Sequence, residues 1–71
     1  MIKTLFSIVP INDGYKYLCK DKDNNHFLKH KADDELDYTL LFVFEKFANK
    51  YIKKNLDVNE YKVEPICIEK N

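Results

Sequence analysis

The chain has 71 residues and a mass of 8.5 kDa, with 45 % apolar, 14 % aromatic and 34 % charged residues. A chain this short buries only about 60 % of its unfolded surface, which implies one core and one domain over residues 1–71, with no room for a separate substrate domain. Twelve lysines balance twelve Asp and Glu, and the zero net charge removes the general electrostatic argument for nucleic acid or an acidic membrane as partner.

Residues 2–9 carry Ile2, Thr4, Phe6 and Ile8 on one parity and Leu5 and Val9 on the other, the pattern of a central strand. Pro10 to Gly14 supplies a turn, with Asn12-Asp13-Gly14 suited to left-handed backbone. Residues 15–20 alternate, Tyr15, Tyr17 and Cys19 against Lys16, Leu18 and Lys20, as a half-buried strand does. Asp21 to Asn25 reads as a hairpin loop and His26 to His30 as a third strand, whose inward residue is Phe27 or Leu28.

From Glu35 to Asn55 there is no Gly or Pro. Leu36, Leu40, Val43, Phe44, Phe47 and Tyr51 fall on one helical face that Leu41, Ala48 and Ile52 widen, predicting one long helix. Asp33 or Asp34 is the expected N-cap, with acidic residues at the start and Lys46, Lys50, Lys53 and Lys54 toward the end. Tyr61 to Ile68 then reads as a last strand, with Pro65 at a sheet edge or bulge.

The expected fold class is therefore α+β: a two-layer sandwich of order β-β-β-α-β, with a four-stranded mixed sheet in the order 3-2-1-4 packed on one long helix. The helix serves as a right-handed crossover that lays the last strand beside the first.

Catalytic groups are sparse, and the expectation is a protein that is not an enzyme and takes no cofactor. Ser7 is the only serine and Gly14 the only glycine, so there is no glycine-rich phosphate loop. His26 and His30 on one strand stand roughly 13 Å apart, too far to share a metal ion. Asp21, Asp23 and Asn25 resemble the opening of a calcium loop, but its later ligands are missing. Cys19 and a histidine on the neighbouring strand could form a nucleophilic pair, although Cys19 shares the core parity of Tyr15 and Tyr17.

Cys19 and Cys67 form no CxxC pair, and with no secretory signal two reduced thiols in the cytoplasm are expected. No run approaches the roughly 20 apolar residues of a membrane span. The absence of Arg removes the bidentate fork that commonly reads guanine or phosphate.

The feature that core formation leaves unexplained lies on the expected helix. Tyr38 and Phe42 fall opposite the core arc, one turn apart, and Leu56 continues the stripe if the helix extends; aromatic anchors ringed by charge are the composition of a protein contact. The leading expectation is a small cytoplasmic protein-binding module using Tyr38, Phe42 and Leu56. Lysine-rich, arginine-free composition with seven Asn suits an AT-rich genome, and an inhibitor or modulator of the kind phages and mobile elements encode fits the size. The alternative is a nucleic-acid-binding protein using Lys3, Leu5, Ser7, Val9, Lys16, Leu18 and Lys20 on the sheet face away from the helix. Homodimerisation through that face or an unpaired strand edge is a further reading.

Overall fold

The computed structural model of the chain describes residues 2–33 and 36–69. Its longest ladder joins β1, Ile2–Pro10, to β5, Tyr61–Glu69, antiparallel and in continuous register from Ile2 opposite Glu69 to Pro10 opposite Tyr61. The Ile11 N–H extends the ladder by donating to the Glu60 carbonyl at 2.9 Å. Pro65 stands opposite Phe6 and is tolerated because, among the described residues, β5 has a strand on one side only, so its missing donor leaves no ladder bond unmade there.

The second ladder is the expected hairpin of β2, Lys16–Lys20, and β3, His26–His30, with Leu18 opposite Leu28 and Cys19 opposite Phe27. Asp21 organises its loop. One carboxylate oxygen accepts the N–H of Asp23 at 2.8 Å and that of Asn25 at 2.9 Å, while Asn24 adopts the left-handed conformation (φ 65°) that Asn tolerates well.

The expected long helix is half the expected length. The described helix, α1, runs from Glu45 to Asn55 with Phe44 at its N-cap position, so Asp33 does not cap it; Asp34, the other expected cap, and Glu35 lie outside the described residues. Ahead of α1 the backbone is extended. Lys20 donates to the Tyr38 carbonyl at 2.9 Å, Leu40 donates to the Leu18 carbonyl at 3.1 Å, and Thr39 bridges Cys19. Two residues on, β4, Leu41–Phe42, pairs with β1 through Phe6–Phe42 and Ser7–Leu41.

Residues 38–42 thus satisfy the free edges of two strands in succession, and those hydrogen bonds outweigh a helical pattern in a segment rich in aromatic and β-branched residues. The four-stranded mixed sheet in the order 3-2-1-4 is accordingly replaced by a three-stranded sheet, β4-β1-β5, and the two-stranded β2-β3 ribbon, antiparallel throughout. The last strand does lie beside the first, but antiparallel to it. The α+β class stands.

The core holds Ile8 from β1, Leu18 from β2, and Ala48 and Ile52 from α1, with Phe6, Leu40, Phe42, Tyr51, Leu56, Tyr61 and Val63 packed around them. Ala48 and Ile52 are one turn apart and present a narrow apolar seam to the strands. Ser7, Val9 and Cys19, of the opposite parity, are fully buried too, so β1 toward its C-terminal end and β2 at Leu18–Cys19 are covered on both faces. Ser7 is compatible with that position because its hydroxyl donates to the Glu64 carbonyl at 2.9 Å. Ser7→Ala is expected to lower stability by about 1–2 kcal/mol, read from the denaturation midpoint. An unchanged midpoint would show that this bond contributes nothing net.

Candidate protein-contact surface

Tyr51 is the residue on which four elements converge. From α1 its ring lies 5.6 Å from that of Phe42 on β4, tilted by 50°, and 6.0 Å from His26 of β3, edge-on. Its hydroxyl is 2.7 Å from His26 Nε2, and the Lys20 ammonium of β2 stands 5.8 Å from the ring centre. With Tyr51 on α1 held by side chains from three other elements, its exposed side becomes a fixed wall. Phe42, Phe47, Lys50, Tyr51, Lys54 and Asn55 enclose an open hollow of about 250 Å³ beside it. That is below the roughly 300–1,000 Å³ of small-molecule pockets and about the size of one large side chain.

Next to the hollow, the start of α1 exposes Val43 (55 %), Phe44 (57 %) and Phe47 (48 %). All three were expected in the core face of the long helix. Beginning the helix at Glu45 instead centres its buried seam on Ala48 and Ile52, turning Phe47 about 100° away while Phe44 precedes the helix altogether. Phe44 and Phe47 touch edge to face at 5.7 Å, and Lys46 lies 5.9 Å and 5.4 Å from their respective centres. The signal that would have found these residues is the helix start, which depends on strand pairings far away in sequence.

The structure does not assemble Tyr38, Phe42 and Leu56 into one helical stripe. Tyr38 is left-handed (φ 67°) and half-exposed, its ring 6.4 Å from Phe27, in a separate hollow lined by Asp21, Lys22, Asp23, Phe27 and Tyr38. Phe42 forms a wall of the α1 hollow while also supporting the core. Leu56 ends the helix, with its N–H bonded to the Ile52 carbonyl at 2.8 Å, and packs half-buried against the core.

The lysine-bearing open sheet face is not formed as expected, because Ser7, Val9 and Leu18 are buried, Lys16 pairs with Asp13 at 3.3 Å and Lys20 faces Tyr51. The envisaged Cys19–His pair is not brought together either. Cys19 Sγ lies 3.7 Å from both Thr39 Oγ1 and the Tyr17 carbonyl, His26 meets Tyr51, and His30 Nδ1 accepts the Ala32 N–H at 3.1 Å. Both cysteines are free, Cys19 buried and Cys67 exposed. A maleimide reagent is therefore expected to label one thiol of the native protein quickly and the second only on unfolding. Rapid labelling of both would contradict the burial of Cys19.

Among the described residues, no group of three or more His, Cys, Asp or Glu is placed to hold a metal ion, and no helix is long and apolar enough to cross a membrane. No family model, curated protein or solved structure compared with the chain matches it.

Proposed function

We propose that this chain is a non-catalytic protein-binding module acting in the cytoplasm, and that its contact surface is the aromatic face around the start of α1, with Phe42 and Tyr51 walling the hollow and Phe44 and Phe47 beside it. The observation that carries the reading is the exposure of Val43, Phe44 and Phe47 together, next to a hollow of one-side-chain size. Large apolar side chains exposed as a cluster in a small domain, rather than singly, are the usual mark of a contact surface. A centre of aromatic rings within a rim of lysines is also the composition from which binding energy is commonly drawn. Inhibition or modulation of the bound protein is the role that such a surface fits.

Affinity capture from cell extract, with and without nuclease, tests this reading. A protein recovered in fixed proportion after nuclease treatment supports it. Recovery that vanishes with nuclease, or with modest added salt, would replace it with nucleic-acid binding.

A further inference from the structure

The charge distribution along α1 is uneven in a chain whose net charge is zero. The helix carries Lys46, Lys50, Lys53 and Lys54 against the single carboxylate of Glu45. Among the described residues, ion-paired carboxylates lie elsewhere, as in Asp13 with Lys16, Asp33 with Lys29 and Glu64 with Lys31. No carboxylate among the described residues pairs with the four helix lysines. Lys50 and Lys54 line the hollow itself and Lys46 stands over Phe44 and Phe47, so the positive potential is centred on the exposed rings. Lys20 adds a further ammonium beside Tyr51.

We infer that the occupant of this surface is an acidic segment of a partner protein, which places one large apolar side chain in the Phe42–Phe47–Tyr51 hollow and its carboxylates against Lys46, Lys50 and Lys54. This rests on the protein-binding reading above and narrows it to a partner chemistry. Complementary charge accelerates encounter and rejects basic partners, while the apolar side chain supplies most of the affinity. A single-stranded nucleic acid would also be drawn to the lysines, but it needs flat rings on which successive bases stack. Here the planes of Phe44 and Phe47 cross at 70° and those of Phe42 and Tyr51 at 50°, which forms notches instead of a platform.

The test is selection from a random-peptide display library on the immobilised protein, with Phe47→Asp and Lys50→Glu/Lys54→Glu proteins in parallel and a labelled oligothymidine as a separate probe. The inference predicts enriched peptides that combine Asp or Glu with Trp, Phe or Leu. They should bind the charge-reversed protein at least about tenfold more weakly, a difference of about 1.4 kcal/mol. Enriched peptides that are neutral or basic, or indifferent to the charge reversal, would overturn the acidic partner while leaving the protein-binding surface in place. Enrichment that is absent, or equal on the Phe47→Asp protein, would overturn both, as would oligothymidine binding this face more tightly than any peptide.

Discussion

Replacing Ile8 by alanine is expected to cost about 2–5 kcal/mol, the range for removing a large aliphatic side chain from a packed core. Ile8 is fully buried at the centre of the cluster that joins β1, β2 and α1, so no single element can close the space it leaves. A domain of this length has roughly 4–11 kcal/mol of stability in all. The variant should therefore melt at least about 10 °C lower, and where the total stability is near the low end of that range the upper end of the cost leaves it largely unfolded at room temperature. A shift below about 2 °C, followed by circular dichroism, would mean that the packing around Ile8 is not what holds the two sheets and the helix together.

The largest expected functional effect belongs to Phe47→Asp. Phe47 is half-exposed at the third position of α1, where a carboxylate meets unpaired backbone N–H groups and the favourable end of the helix dipole. The substitution should leave the melting temperature nearly unchanged. At the surface it removes an aromatic wall of the hollow, breaks the contact with Phe44 and sets a negative charge where an acidic partner must dock. Binding is expected to weaken by roughly 30-fold or more, the loss of about 2 kcal/mol that defines a binding hot spot. Titration calorimetry with the captured partner measures this directly, and unchanged affinity would remove Phe47 from the interface. Phe42→Asp is a poorer probe. Phe42 is half-buried, paired with β1 through Phe6 and packed on Tyr51, so its replacement combines loss of binding with loss of folding.

That contrast follows from which parts of the structure are encoded locally. β1, β2, β3 and β5 were legible to within a residue or so at each end, because alternation bounded by Pro10, Gly14 and the Asp21–Asn25 loop is a local signal. The second half of the helix and its buried Ala48 and Ile52 were legible for the same reason. Residues 36–44 were not. The unbroken apolar run within them, residues 40–44, satisfies helical and strand periodicity equally, and no Gly or Pro divides the segment. What decides the segment is the need of β2 and β1 for partners at Tyr38–Leu40 and Leu41–Phe42, a non-local requirement.

The candidate surface inherited that ambiguity. A helix begun ten residues early buries Phe44 and Phe47 and lifts Tyr38 and Phe42 into solvent together. The observed start does the reverse for Phe44 and Phe47, and places Tyr38 and Phe42 in different hollows. Phe42 lines the wall of the α1 hollow. The stripe of Tyr38, Phe42 and Leu56 is not formed, because helical angles apply only to residues inside a helix, and Tyr38 and Phe42 precede α1.

The proposed surface stands or falls on where a bound protein touches the chain. The direct measurement is a footprint of the captured partner on the isotope-labelled protein, by backbone amide shifts and hydrogen exchange in the free and bound states. The predicted footprint is contiguous over Phe42, Phe44, Phe47, Lys50, Tyr51 and Lys54. A footprint confined to the β2–β3 ribbon around Phe27 and Tyr38, or to the outer edge of β5, would contradict the proposed surface.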